Sequence, residues 1–283
     1  MDVRSARKRI RQCVSLAAVL TGLAALSPTA EASDTLSYGG RSLIVHAPAG
    51  PPPAGGRALV IVLHGGLGNA QRIAEHRSES GLNMDAEADR GGFVVAYLNG
   101  TPVTHFRAAQ ALGWDAGGGC CGLSAQNRID DVAYITGAVA DLEARYGIDP
   151  KRVFAVGHSN GAMMAQRLVC ETPLLAAVVA VSGPLNLETE DCPGARGARI
   201  LAIHGSLDEN VPVEGGEGSK GLARVRFQSE AHARRVLVAS GADYRLQIVP
   251  GADHNLDHID AALQQSDGQG VARIAAKFFD LIP

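Results

Sequence analysis

From Ala58 onward, short apolar runs alternate with longer stretches in which apolar residues return every three or four positions. The runs at Ser42 to His46, Ala58 to Leu63, Phe93 to Leu98, Val153 to Val156, Ala176 to Val181, Ile200 to His204 and Tyr244 to Val249 predict strands. Several are apolar throughout, as strands covered on both faces are. The longer stretches predict helices over Asp130 to Tyr146, Asn160 to Cys170, Val225 to Ser240 and Gly270 to Leu281, with another around Asn69 to Ser80. In the first of these, Ile129, Val132, Ile135, Val139 and Leu142 share one face at helical spacing. This alternation predicts an α/β protein with a mostly parallel central sheet flanked by helices.

Two segments interrupt the pattern. Ala49 to Gly56 is rich in proline and glycine and too short to separate domains. Asn99 to Asn127 is long, glycine-rich and carries the sole tryptophan, Trp114. Loops of such length in a compact domain are usually functional or pinned, and Cys120 with Cys121 suggests pinning.

Ahead of the alternation the chain has another character. Arg4, Arg7, Lys8, Arg9 and Arg11 precede an apolar run from Val14 to Leu26, and Ala30-Glu31-Ala32 offers a cleavage site before Ser33. Residues 1–32 are therefore expected to be a secretory signal peptide, and residues 33–283 a single catalytic domain, exported to the medium or periplasm. The apolar run is shorter than a membrane span, so no membrane anchor is expected. With residues 1–32 set aside, 21 basic side chains face 27 acidic ones, which argues against nucleic acid as a partner. Four cysteines remain: Cys120, Cys121, Cys170 and Cys192. An oxidising compartment favours disulfides, and because adjacent cysteines bridge each other only through a strained ring, separate bridges from Cys120 and Cys121 to Cys170 and Cys192 are expected.

The chemistry centres on Gly157-His158-Ser159-Asn160-Gly161, a Gly-x-Ser-x-Gly turn between a predicted strand and a predicted helix. Such a turn lifts a serine hydroxyl above the end of a parallel sheet. Serine is a poor nucleophile until a histidine takes its proton and a carboxylate orients that histidine. In this architecture the acid and histidine follow at later strand ends, which selects Asp208 and His254. Glu209 would point elsewhere, and Asp191 lies at the wrong end of the sheet. His258, four residues past His254, is a rival base, but the glycine turn at Gly251 favours His254. The His-x-x-x-His spacing lacks a third ligand, so no metal or other cofactor is expected. Oxyanion donors are expected at the backbone N–H of Asn160 and of Gly66, with Leu67 as its neighbour, in the His64-Gly65-Gly66-Leu67-Gly68 loop. His64 is expected to brace that loop. His158 is expected to pack or face substrate, and Trp114 to pack or stack on a substrate ring.

Together these pieces resemble the secreted polyhydroxybutyrate depolymerase and feruloyl esterase group of α/β-hydrolases, assigned partly to carbohydrate esterase family 1. The resemblance rests on His64-Gly65-Gly66, Trp114 with Gly118-Gly119-Cys120-Cys121-Gly122, Ile129-Asp130-Asp131-Val132, Tyr146 to Pro150, the serine turn, His204-Gly205 through Asp208 with Val211-Pro212, and Gly251 to His254. It implies a serine esterase using Ser159, Asp208 and His254 on a small-molecule or oligomeric ester, with feruloyl, hydroxybutyryl and acetyl groups all open. A peptidase or a non-catalytic binding protein on the same fold are the alternatives. Two features depart from the group. Asn255-Leu256-Asp257 follows the histidine where many relatives carry tryptophan and proline, and no stretch remains for a separate polymer-binding domain, so crystalline polymer is not the expected substrate.

Overall fold

The computed structural model describes residues 33–106, 110–221 and 224–283, and the expected signal peptide lies outside them. Eight strands form the central sheet: β1 Asp34–Tyr38, β2 Arg41–His46, β3 Arg57–Leu63, β4 Val94–Leu98, β5 Ile148–His158, β6 Ala177–Val181, β7 Arg199–Gly205 and β8 Asp243–Val249. Their spatial order is β1-β2-β4-β3-β5-β6-β7-β8. β1 pairs antiparallel with β2, and β2 antiparallel with β4. From β4 to β8 every neighbouring pair is parallel.

The helices are α1 Ala70–Ala74, α2 Asp85–Gly91, α3 Gly122–Gln126, α4 Asp131–Tyr146, α5 Asn160–Glu171, α6 Glu230–Ala239, α7 Leu256–Asp267 and α8 Val271–Phe278. They cover both faces of the sheet. Leu59, Ile61 and Leu63 of β3 join a core with α4, α5 and α6. Ala58, Val60 and Val62 of the same strand join another with α1, α2, α7 and α8. All seven residues of β3 are buried, so its unbroken apolar run needs no alternation. Each such aliphatic side chain contributes about 1.5–3 kcal/mol through burial.

Some boundaries differ from the sequence expectation. The helix expected over 225–240 begins only at Glu230, because Ser229 caps it by accepting a hydrogen bond from the His232 N–H. The one expected around 69–80 is confined to Ala70–Ala74, after which the chain turns through left-handed residues His76 and Glu79.

The expected cysteine pairing is corrected. Cys170 is bonded to Cys192, and Cys120 to its neighbour Cys121. Helix α5 explains why the cross-pairing fails. Cys120 lies at its first turn, where the Asn160 side chain meets the Cys120 sulfur at 3.6 Å, whereas Cys170 sits ten residues along the helix. That separation is about 15 Å of helix axis, far beyond disulfide reach.

Candidate active site

Ser159 occupies the junction between β5 and α5 with φ 52° and ψ −120°, a strained conformation for a residue with a side chain. Its N–H is held by the Val181 carbonyl at 2.8 Å, and Gly161 makes the sharp reversal possible. A Cβ at Gly161 would run into the carbonyl oxygens of Leu63, the last residue of β3, and of His64, which follows it.

The strand ends bring the other expected residues to this point. His254, in the loop after β8, places Nε2 2.9 Å from Ser159 Oγ. Its Nδ1 lies 2.7 Å from Asp208 Oδ2, in the loop after β7. The carboxylate is fixed in turn, because Asp208 Oδ1 accepts from the N–H groups of Asn210 and Val211 at 2.9 and 2.8 Å. The rivals lie elsewhere: His258 pairs with Asp253 on an exposed surface, and Glu209 pairs with Lys220.

The His64–Gly68 loop follows β3 and faces the same opening. Three of its N–H groups are committed: Gly65 donates to Glu79, Leu67 to the Leu112 carbonyl and Gly68 to the Gly65 carbonyl. Gly66 lines the cleft beside Asn160, the first residue of α5. The Asn160 side chain is occupied otherwise. It accepts from the Trp114 N–H at 2.7 Å and donates to the Trp114 carbonyl at 3.1 Å.

Trp114 is fully buried, and its indole N–H donates to the His64 carbonyl at 3.0 Å. It braces the loop from behind rather than meeting the cleft. His158 borders the cleft, but both of its ring nitrogens are engaged, Nδ1 with Glu79 Oε1 at 2.7 Å and Nε2 with the His254 carbonyl at 2.9 Å. His64 is buried, with Nδ1 on the Gly65 carbonyl and Nε2 accepting from the Gly100 N–H.

Two carboxylates escaped the sequence reading. Glu79 receives both Gly65 N–H and His158 on the same oxygen, so it ties the glycine loop to the serine turn. Gly65 permits that approach, since a Cβ there would lie 2.7 Å from Glu79 Oε1. Glu230, in the first turn of α6, holds His204 Nδ1 at 2.7 Å and accepts from the Tyr244 hydroxyl at 2.5 Å. His204 Nε2 reaches Asp208 Oδ2 at 3.1 Å and the Val211 carbonyl at 2.9 Å. No local motif marks Glu79 or Glu230, since their partners are distant in sequence. His204 did carry a signal, four residues before Asp208.

Electrostatics follow these contacts. Burial alone would push the Asp208 carboxyl up, but hydrogen bonds from His204 and His254 hold it well below the usual range. Burial lowers His254; its bond to Asp208 opposes this, the His158 charge adds to it, and the net shift is downward. Burial also disfavours a charged His158, yet Glu79 outweighs this and raises it. His204 behaves likewise, pushed up to about 9 by Asp208 and Glu230 against its burial.

The cleft above Ser159 has a volume of about 830 Å³. Val103, Met163, Val211, Phe227 and the Cys120–Cys121 disulfide supply apolar lining, and Arg72, Glu209 and Lys220 add charge. Among the described residues, no cluster of three or more His, Cys, Asp or Glu side chains could hold a metal ion. A serine, an imidazole and a carboxylate so aligned, with two backbone N–H groups nearby, can in general transfer an acyl group to serine and then to water.

Comparison with known proteins agrees with this chemistry. The family described as Phospholipase/Carboxylesterase matches residues 50–258. A putative esterase, NocK, from Nocardia uniformis subsp. tsuyamanensis is 34% identical over 177 residues, covering 62% of this chain and 47% of the relative. Feruloyl esterase B from Piromyces equi is 29% identical over 183 residues, covering 62% of this chain and 31% of the relative. This chain thus spans less than half the length of these curated relatives. Among solved structures, the poly(3-hydroxybutyrate) depolymerase LpqC from Bordetella parapertussis shares the fold with a TM-score of 0.55 at 20% identity, covering 86% of this chain and 95% of that one. Among the described residues, no helix is long and apolar enough to cross a membrane.

Proposed function

From the premise that the chain belongs to the phospholipase/carboxylesterase family of α/β-hydrolases, we propose that it is a serine carboxylic ester hydrolase working through an acyl-enzyme. The observation that carries this reading is the continuous chain of hydrogen bonds from Ser159 through His254 to Asp208, at 2.9 and 2.7 Å. Ser159 Oγ attacks the ester carbonyl carbon as its proton passes to His254 Nε2. Asp208 Oδ2 accepts from Nδ1–H and stabilises the imidazolium. The N–H groups of Gly66 and Asn160 receive the negative oxygen of the tetrahedral intermediate. His254 then gives the Nε2 proton to the departing alkoxide oxygen, leaving the acyl group on Ser159. Water, deprotonated by His254, attacks that carbonyl, and as the second tetrahedral intermediate collapses Ser159 Oγ leaves, takes the proton back from His254 Nε2 and releases the acid.

The substrate is a small-molecule or oligomeric ester. The apolar lining by Val103, Met163, Phe227 and the Cys120–Cys121 bridge supports an acyl group larger than acetate. The names of the relatives, a feruloyl esterase and a hydroxybutyrate depolymerase, support the same class. Export belongs to this reading as well. The basic-then-apolar start at residues 4–26 and two disulfides suit an oxidising compartment.

The test is hydrolysis of p-nitrophenyl acetate and butyrate, methyl ferulate and soluble hydroxybutyrate oligomers by residues 33–283 and the Ser159→Ala variant. We expect wild-type turnover with preference for a larger acyl group, and a loss of at least about a thousandfold in the variant. Equal rates for the two proteins would sink the mechanism.

A further inference from the structure

His64, His158 and His204 are all buried near the cleft, yet their hydrogen bonds assign them different charges. His64 donates from Nδ1 to a carbonyl and accepts at Nε2 from a backbone N–H, the pattern of a neutral ring. His204 has acceptors on both sides. Nδ1 faces Glu230 Oε1 at 2.7 Å, while Nε2 faces the Val211 carbonyl at 2.9 Å and Asp208 Oδ2 at 3.1 Å. A neutral imidazole carries one N–H, so one nitrogen lone pair would meet oxygen lone pairs at direct hydrogen-bond distance. Both carboxylates also accept from other donors. Asp208 Oδ1 receives two backbone N–H groups, and Glu230 Oε2 receives the Tyr244 hydroxyl.

We propose that His204 is a positioning residue, a buried imidazolium behind the triad acid that sets the pH at which His254 becomes a competent base. It does so through one shared atom. Asp208 Oδ2 accepts from both His204 and His254, so the charge that would favour a protonated His254 is divided between two rings. With His204 charged, Asp208 and Glu230 carry two negative charges against one positive. When His254 takes the serine proton, the four groups become balanced. This inference rests on His254 being the base of the proposed reaction.

The other groups around His254 are accounted for. His158 from the end of β5 approaches with ring centroids 5.1 Å apart, and Glu79 offsets its charge from behind. Asp253 on the same loop pairs with His258, and Glu209, Lys220 and Asp257 line the cleft. Of all these, only His204 shares an acceptor atom with His254.

Two readouts test the proposal. Ring ¹⁵N resonances of His204 in histidine-labelled Ser159→Ala protein report its charge without any turnover. Both nitrogens should be protonated at pH 7.5, while His64 shows one protonated and one bare nitrogen. A neutral His204, with the proton on Glu230 instead, overturns the proposal. In the active enzyme, His204→Gln should move the acid limb of kcat/KM up by about one pH unit, a tenfold gain in the proton affinity of His254. A uniform fall in rate with the limb unmoved would make His204 a packing residue and overturn it. Failure of the esterase reading is separate, because it would show as activity that survives Ser159→Ala, whatever the charge on His204.

Discussion

Replacing Glu79 by alanine should loosen three parts of the site at once. Its Oε1 accepts from the Gly65 N–H at 2.9 Å and from His158 Nδ1 at 2.7 Å, and His158 in turn holds the His254 carbonyl. Hydrogen bonds to charged groups contribute about 1.5–3 kcal/mol each, so losing two should cost about 3–6 kcal/mol of stability. In a domain of this size that lowers Tm by about 10 °C. Glu79 has φ 51°, so Glu79→Gly removes the same bonds but relieves backbone strain, and should cost about 1 kcal/mol less than alanine. Glu79→Gln, which keeps an acceptor without charge, should fall between wild type and alanine.

The pH dependence fixes the cause. Burial alone would raise Glu79, but its bond and charge interaction with His158 bring it below its ordinary value of 4.5. His158 is raised above its ordinary 6.5. A raised histidine contributes stability that is complete below 6.5 and fades as pH rises through its folded value. A lowered carboxylate contributes stability that is complete above 4.5 and fades as pH falls through its folded value. The difference between wild type and Glu79→Ala, read from urea denaturation, should therefore be largest between pH 4.5 and 6.5 and shrink on the alkaline side. A cost below about 1 kcal/mol, or one that grows with alkalinity, would refute the reasoning.

Two further outcomes follow from the same geometry. Gly161→Ala should cost about 3 kcal/mol or more and lower kcat, because its Cβ meets backbone rather than a movable side chain; near-normal Tm and activity would contradict the packing described at the serine turn. Activity should be lost as pH falls through a His254 value below the ordinary 6.5, so the acid limb of wild-type kcat/KM should lie under that value, and a limb above it would count against the burial and His158 charge that lower it.

The parts of the molecule that were legible in sequence are those governed by local pattern. β3 through β7 each contain an apolar run buried on both faces, whereas β8, at the sheet edge, buries only Tyr244 and Val249 of its seven residues; Ser159 sits on a strand-to-helix turn with its own glycine signature. β1 was missed because Asp34–Tyr38 lies at the sheet edge, mostly exposed, and so carries no apolar run. Helix α7 was missed because only Leu256, Ile259 and Leu263 of its twelve residues are buried. Glu79 was illegible for a different reason. Its contacts lie 14 and 79 residues away, and a lone glutamate in a loop carries no period or motif. The cysteine pairing failed because it depended on where the two ends of α5 stand, which composition and spacing do not encode.

The pairing of Asn160 with Trp114 constrains how such a protein can diversify. Asn160 follows the nucleophile directly, and its side chain grips both backbone groups of Trp114 while Trp114 grips the His64 carbonyl. A change of backbone at residues 113–115 would be felt both in the His64–Gly68 loop and at the start of α5. Under the proposed function, a change of substrate preference is thereby steered away from that stretch and toward cleft positions outside the clamp, such as Thr104, Leu207 and Lys220. One half of the rim is free to explore while the other is held to its present form.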